Sequence, residues 1–398
     1  MKCEGVLFLS CWIGFVYSKA VSNTDLKNAL LQQQPDFLDK FQYYLDALDY
    51  YQNQQYQEDP YNDWIEEDAP VNKDILEQIE QWPANDVQSE IGQVGGVAMD
   101  TNDNLVVFHR ADRRWDRWSF GPLNKINAAL GPIQKNVLVT VNPQTGDKIS
   151  ESGAGIFYMP HGLTIDQEGN RWLTDVGLHQ VMKIRADDTT PSLVLGEKLV
   201  PGSDDSHFCK PTDIAVTSQG DFFVADGYCN GRIMKFSGNG TLLAKWGSPS
   251  FGMMPGNDQF QIPHSLALDE GRDLLCVADR ENGRIQCFSA GINGTNTGEF
   301  RHGFEPGRGT IYAIEFDQSG DKLYVVNGPG IGIVEGFTLD PNGNILETWG
   351  PSNQDFPGQP HDVTVSRAND VYVGDIGYPS RVWKFSRGME TGAGIVGK

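Results

Sequence analysis

The sequence is short of positive charge and of histidine. Its 398 residues include 31 Lys and Arg against 53 Asp and Glu, for a formal net charge of −22, and only seven His. No basic stripe runs through any part of the chain, which argues against a nucleic-acid partner. Long apolar runs are absent after residue 20, so we expect no membrane span.

The first ninety residues differ in composition from the rest. Residues 1–20 resemble a secretory signal peptide, with Lys2 followed by an apolar run over residues 6–17 and small residues before a cleavage site. Residues 21–90 carry sixteen acidic side chains against three Lys and are rich in Gln and Tyr. We interpret them as a mostly disordered acidic pro-segment or spacer of a secreted protein. Its six Tyr among acidic residues suggest sulfation as a further hypothesis.

One unit of strands and turns recurs along the remainder of the chain. The stretch from Pro263 to Phe288 combines an alternating strand, an acidic turn, a buried strand, a polar turn and a third strand. Six copies at a spacing of roughly fifty residues predict an all-β fold, a six-bladed β-propeller over residues 91–390 with a tail at 391–398. The other five copies begin near Gly96, Gly162, Asp213, Ala313 and Asp362.

Cysteine is also scarce, and its distribution suits an oxidising compartment. Two of the six Cys lie in the signal peptide, and the remaining four allow three pairings. We favour pairing within each blade because the partners then lie on or beside neighbouring strands. The favoured pairs are Cys209 with Cys229 and Cys276 with Cys287. The sequons at Asn239 and Asn293 predict glycans on loops.

Three of the seven His share one position of the repeat. His161, His264 and His361 each follow a Pro just before the first strand of a blade, and their separations of 103 and 97 residues each correspond to two blades. Alternate blades of a six-bladed ring therefore direct one imidazole each toward the axis. Three neutral nitrogens at one point suit a zinc ion with an open fourth position. Packing His retained from a common ancestral blade is the alternative.

Two Arg occupy a second shared position, and one Tyr lies next to the equivalent position of another blade. Blade one has His109 where most blades have Asp, and Arg110 follows it; Arg280 occupies the same place in blade four. Blades one and four face each other in a six-fold ring, so both guanidinium groups approach the central space. Tyr228 is one residue further along in blade three and faces the same side. Local surface ion pairs and simple packing are the alternatives for these residues.

The motifs around these positions resemble those of a known family. The phrases YMPHGLTID, FCKPTDIAV, DGYCNGRIMKF, PHSLAL, VADRENGRIQCF and PHDVTV are similar to those of the peptidyl-α-hydroxyglycine α-amidating lyases, propellers of NHL-type repeats. The similarity runs from about Gly92 to Phe385. The resemblance implies a free-standing lyase that acts in prohormone and neuropeptide processing, downstream of a separate copper monooxygenase. We expect a monomer.

The resemblance also implies roles for individual residues. His161, His264 and His361 match the family's zinc ligands, and Tyr228, Arg110 and Arg280 match its catalytic residues. The four favoured Cys match its disulfides. A structural calcium ion of the family corresponds to the backbone carbonyls of Val97 and Leu163 and the carboxylate of Asp362. Gln359 departs from the family pattern, because a mammalian relative has Met there.

The implied substrate is a peptide ending in α-hydroxyglycine, and the products are the peptide amide and glyoxylate. Tyr228 would serve as base if its pKa falls well below 10 beside zinc and two guanidinium groups. Arg suits the substrate carboxylate because it binds carboxylates bidentately; the division of roles between Arg110 and Arg280 stays open. One alternative is a non-catalytic secreted propeller that binds protein partners. Another is a calcium-dependent lactonase or esterase.

Overall fold

Six four-stranded antiparallel sheets form the regular structure of this chain. The structure is a computed structural model that describes residues 75–251, 254–292, 294, 296–330, 332–351 and 355–388. The predicted signal peptide, most of the acidic segment with its Tyr, the sequon residue Asn293 and the C-terminal tail lie outside the described residues. The prediction of a six-bladed propeller is confirmed.

The chain passes through five blades in order, each from its inner strand to its outer one. It begins with β1 (Leu76–Gln78) and helix α1 (Asn85–Glu90). Blade one contains β2 (Val94–Met99), β3 (Leu105–His109), β4 (Leu138–Val141) and β5 (Lys148–Ser152); blade two contains β6 (Pro160–Ile165), β7 (Arg171–Asp175), β8 (Gln180–Ile184) and β9 (Leu193–Leu195); blade three contains β10 (Asp213–Val216), β11 (Phe222–Asp226), β12 (Arg232–Phe236) and β13 (Leu242–Trp246).

The second half of the ring repeats this pattern. A two-stranded parallel ribbon of β14 (Ser248–Pro249) and β15 (Gln259–Phe260) connects blades three and four. Blade four contains β16 (Pro263–Asp269), β17 (Leu274–Asp279), β18 (Arg284–Ser289) and β19 (Phe300–Phe304); blade five contains β20 (Ile311–Phe316), β21 (Leu323–Asn327), β22 (Gly336–Leu339) and β23 (Ile345–Trp349); blade six contains β24 (Pro360–Val365), β25 (Val371–Asp375) and β26 (Arg381–Arg387). Short 3₁₀ turns span Pro122–Asn124, Ala128–Leu130 and Arg280–Asn282.

The strand patterns follow from how the blades pack. The second strands are buried on both faces, as in β3 and β17, because each lies between two neighbouring sheets. The outer strands β13 and β19 instead alternate between half-buried and exposed residues. The apolar core is therefore divided into clusters that lie between adjacent blades.

The N-terminal side of the chain supplies the fourth strand of blade six. Strand β1 pairs with β26, with Leu76 opposite Arg387 and Gln78 opposite Phe385. Val87 of α1 is buried in the core next to blade one. The sequence-based boundary at residue 91 is therefore too late, because residues 76–78 belong to the propeller. A three-residue strand is too short to show a period, and it is stabilised by a partner about three hundred positions away.

The end of each second strand organises the adjacent loops. Asp175 accepts hydrogen bonds from the backbone N–H groups of Tyr158 and Met159, at 2.6 and 2.9 Å. In blade one the same position is His109, whose Nδ1 accepts from the N–H groups of Gly92 and Ala111 at 3.2 and 3.0 Å. The exceptional His109 is thus a loop-capping residue.

The structure contains both predicted disulfides. Cys209 is bonded to Cys229 and Cys276 to Cys287. Asn239 is exposed in the turn between β12 and β13, where a glycan finds room. In the described part of the chain, no helix has the length and apolar character needed to cross a lipid bilayer.

Candidate metal centre and active site

The three predicted His meet on the propeller axis. Their side-chain nitrogens lie within 4.8 Å of one another, and their ring centres are 4.7 to 4.9 Å apart. Each lies at an irregularity in the pairing of the inner strand with the second strand, next to a Pro that pairs normally. A β-bulge re-aims a side chain, which explains how residues at a strand start reach the axis.

Each imidazole is oriented by the neighbouring blade. The Nδ1 atoms of His161, His264 and His361 lie 2.8, 2.6 and 3.0 Å from the carbonyl oxygens of Thr212, Tyr312 and Gly95, in that order. A carbonyl oxygen only accepts, so each Nδ1 carries the proton and each Nε2 is unprotonated and presents its lone pair. The three carbonyls come from blades three, five and one, which lack His at this position.

The environment keeps these imidazoles neutral. All three are at most 2% exposed. Burial is the largest of the causes that lower the pKa of each His well below its usual value; neighbouring imidazoles add to it at His264 and His361, and the guanidinium groups of Arg110 and Arg280 add to it at all three. Three neutral nitrogen donors within 4.8 Å of one another fit the ligand preference of zinc.

Tyr228 extends over the His cluster. Its hydroxyl oxygen is 3.0 Å from His161 Nε2 and 3.3 Å from His264 Nε2, and Arg280 Nη1 donates to it at 3.4 Å. The disulfide to Cys229 anchors the turn that carries it. Burial raises the pKa of Tyr228 above its usual value, against the opposing charges of Arg280 and Arg110. The two guanidinium groups alone therefore do not produce the lowered pKa expected from the sequence.

The two Arg differ in their surroundings. Arg110 is fully buried; its Nε donates to the carbonyl of Pro160 at 3.0 Å and its Nη1 to Gln93 Oε1 at 3.1 Å. Its Nη2 has no hydrogen-bond partner within the described ranges. Burial lowers the pKa of Arg110 to about 10.

Arg280 has more partners. It forms an ion pair with Glu281 at 2.8 Å, and its guanidinium carbon lies 5.3 Å from the ring centre of Tyr228 and 4.8 Å from that of Tyr312. The guanidinium group of Arg280 therefore contacts a carboxylate and two aromatic rings. In the described residues, Arg110 Nη2 has no hydrogen-bond acceptor.

Sequence reasoning missed two residues that hold this pocket in shape. Gln93 Oε1 accepts from Arg110 and from the backbone N–H of Trp115 at 2.6 Å. The Trp115 ring lies 5.1 Å from the Arg110 guanidinium carbon and 4.9 Å from the ring of Tyr228. Trp115 belongs to the connection over residues 110–137, which is long enough to interrupt the repeat. This unusual length is the sequence feature that could have pointed to Trp115.

The departure at Gln359 has a structural counterpart. Its Nε2 donates to the hydroxyl of Tyr312 at 2.9 Å, and the carbonyl of Tyr312 accepts from His264. At the position where the sequence departs from the family, Gln359 therefore makes a polar contact with the residue whose carbonyl orients His264.

The residues of the predicted calcium site line the central channel. Val97, Leu163 and Asp362 lie along it together with two carboxylates that sequence reasoning missed, Asp213 and Glu315. Asp362 Oδ2 accepts from the N–H of Val97 at 2.7 Å, and Asp213 Oδ2 accepts from the N–H of a blade-four residue at 2.8 Å. Asp213 holds the same repeat position as Asp362, and this shared position could have identified Asp213 from the sequence.

Electrostatics favours a cation in this channel. Burial raises the pKa of Asp213 to about 7, and burial with repulsion from Asp213 raises that of Glu315 to about 8. The pKa of Asp362 is raised by the same two causes. Oxygen donors of this kind fit the ligand preference of calcium.

Comparisons with known proteins identify the class first. The model of the NHL repeat matches residues 208–236, 260–288 and 358–385, which include Tyr228, His264, Arg280 and His361. Together with the six sheets, this match defines the chain as an NHL-repeat β-propeller.

Sequence relatives define the family. The chain is 42% identical over 316 residues to peptidyl-alpha-hydroxyglycine alpha-amidating lyase 2 of Drosophila melanogaster, covering 77% of this chain and 74% of that protein. It is 47% identical over 334 residues to peptidyl-glycine alpha-amidating monooxygenase B of Xenopus laevis, covering 81% of this chain but only 37% of that much longer relative. The chain belongs to the peptidyl-α-hydroxyglycine α-amidating lyase family.

Proposed function

We propose that this chain cleaves the N–C bond of peptides that end in α-hydroxyglycine. The products are the peptide amide and glyoxylate, the second step of peptide α-amidation. The observation that carries the proposal is the meeting of three oriented imidazoles with Tyr228 and two Arg at one end of the channel, in a chain of this family.

The proposed metal site consists of His161, His264 and His361. A zinc ion held there would supply positive charge that lowers the pKa of the substrate hydroxyl and of the nearby phenol. The unprotonated Nε2 atoms and the burial of the rings support this ligand set.

Tyr228 is the proposed base. As phenolate it removes the proton of the substrate hydroxyl; the O–H electrons form the carbonyl of glyoxylate while the N–C bond electrons pass to nitrogen, which is protonated to complete the amide. Atoms balance without water or an oxidant, since one proton moves from oxygen to nitrogen. The hydroxyl of Tyr228 is suitably placed because it lies against two of the three imidazoles.

The different surroundings of the two Arg suggest a division of labour. Arg110 has an unpartnered, buried Nη2 and is the better candidate to bind the substrate carboxylate. Arg280 donates directly to Tyr228 and is the better candidate to stabilise its phenolate form.

Calcium is the proposed structural ion. Val97, Leu163 and Asp362 would hold it within the channel, where three carboxylates repel one another. An ion there would join the inner strands of blades one, two and six. The two disulfides support a place in the secretory pathway, where a separate copper monooxygenase would supply the hydroxyglycine peptide.

The test is direct. The purified protein is incubated with a hydroxyglycine-extended peptide, and glyoxylate and peptide amide are quantified. Equal amounts of both products, formed faster than with no enzyme, are expected. The absence of enzyme-dependent glyoxylate from several peptides would overturn the proposed function.

A further inference from the structure

Lys210 places a third cationic side chain at the edge of the candidate active site. It follows Cys209, and its backbone N–H donates to His179 Nδ1 at 3.0 Å, which holds this loop against blade two. Its Nζ lies 4.6 Å from the ring centre of Phe120 and 5.9 Å from that of Tyr228. Lys210 therefore borders the aromatic wall formed by Phe120, Trp115 and Tyr228.

Among the residues that the structure describes, Lys210 has no anionic partner. No carboxylate in the described part of the chain forms an ion pair with Lys210, whereas Arg280 pairs with Glu281 and Arg232 pairs with Asp226. Lys210 is only partly exposed, and burial lowers its pKa. Keeping an unpaired ammonium group partly out of water is unfavourable, and an anionic ligand at this place would compensate for it.

The distance from Tyr228 indicates which part of a substrate is in reach. The substrate hydroxyl must lie at the Tyr228 oxygen, and the peptide continues from the scissile nitrogen into the preceding residue. Successive Cα atoms are about 3.8 Å apart. Lys210 Nζ lies 5.9 Å from the ring centre of Tyr228, so a long side chain on the preceding residue can reach it, whereas the terminal carboxylate already has Arg110.

We propose that Lys210 is a specificity-determining residue that favours Asp or Glu at the position preceding the terminal hydroxyglycine. The inference rests on the proposed lyase function and adds a selective subsite to it. Without such a subsite, the chemistry of the terminal residue alone would give no preference at the preceding position.

The test uses the zinc-loaded protein and three hydroxyglycine peptides that differ only in the preceding residue, which is Glu, Gln or Lys. Glu and Gln have nearly the same shape, so the ratio of their kcat/KM values isolates the charge. We expect the wild-type protein to favour Glu over Gln about fivefold, the size of a partly exposed ion pair, and added NaCl to reduce the ratio.

Variants of Lys210 then assign the preference. In K210M the ratio falls to about one, and in K210E the Lys peptide becomes the preferred substrate. K245M removes an equal charge from the outer strand of the same blade, where Lys245 pairs with Asp205, and should keep the wild-type ratio.

Three outcomes overturn the inference: a wild-type ratio of one or less, a K210M ratio equal to that of the wild type, or an equal loss in K245M. The wild-type result decides even if a variant fails to fold. Failure of the proposed function looks different, since no peptide then yields glyoxylate.

Discussion

The two proposed cation sites differ in chemistry although the same inner strands build both. His361 and Asp362 are consecutive residues of β24, yet the first joins the imidazole cluster and the second lines the carboxylate channel. The imidazoles are neutral and are fixed by carbonyls of neighbouring blades. The carboxylates repel one another and have raised pKa values.

This difference indicates that the imidazole site serves catalysis and the carboxylate site serves stability. Neutral nitrogen donors tolerate one another without a metal, so the His end should fold unaided and gain reactivity on binding zinc. Clustered carboxylates are costly to bury as anions, so the channel should gain stability on binding calcium. Variants at the two sites should therefore fail in different ways.

The largest expected effect is at the imidazole site. H264A removes one of three nitrogen donors, and we expect loss of bound zinc with a fall in kcat of about a thousandfold or more. Metal analysis and glyoxylate release measure both effects on one sample. Calcium content should change little, and full activity in zinc-free protein would contradict the assignment.

Tyr228 tests the same site without replacing a metal ligand. Y228F removes only the hydroxyl, and we expect kcat to fall by about 10² to 10⁴ because general base catalysis contributes that much. Zinc content should stay at the wild-type level. Near-normal turnover in this variant would exclude Tyr228 as the base.

The carboxylate channel should respond in stability rather than in chemistry. D362N removes the charged ligand of the proposed calcium site, and we expect unfolding in millimolar calcium to become easier by about 2 to 3 kcal/mol, the stabilisation given by a well-bound ligand. Thermal melts with and without calcium measure the effect. A variant that responds to calcium as the wild type does would place the ion elsewhere.

The smallest effect concerns pH. In EGTA, the folded-state pKa values of Asp213 and Glu315, about 7 and 8, lie above the unfolded values of about 4. As pH rises, these carboxyl groups lose their protons in the unfolded chain at a lower pH than in the folded protein. Their destabilisation of the folded state is therefore absent below pH 4 and grows as pH rises toward 8. We expect the melting temperature in EGTA to fall by a few degrees between pH 5 and 8 and calcium to offset the fall. A melting temperature in EGTA that rises with pH in both D213N and the wild-type protein would contradict this account.

The repeated features of the molecule were predictable from the sequence. Six copies of one unit predicted the ring. Residues at or next to equivalent positions of the repeat predicted the His cluster, both Arg and Tyr228, because equivalent positions lie at the same level around a closed ring. Asp213 was equally visible, since it aligns with Asp362, but no motif drew attention to it.

Features outside the repeat were not predictable. Strand β1 depends on pairing with β26 rather than on its own sequence. Gln93 and Trp115 act through contacts made by the long connection of blade one, whose path no periodic pattern encodes. The pKa of Tyr228 depends on the balance between burial and nearby charges, which requires coordinates.

The central claim is that three imidazoles from alternate blades hold one zinc ion on the propeller axis. Metal analysis of the purified wild-type protein, combined with X-ray absorption at the zinc edge, tests it most directly. We predict one zinc per chain with a first shell dominated by imidazole nitrogen. Protein that is active without a stoichiometric transition metal, or zinc bound mainly by oxygen, would contradict the claim.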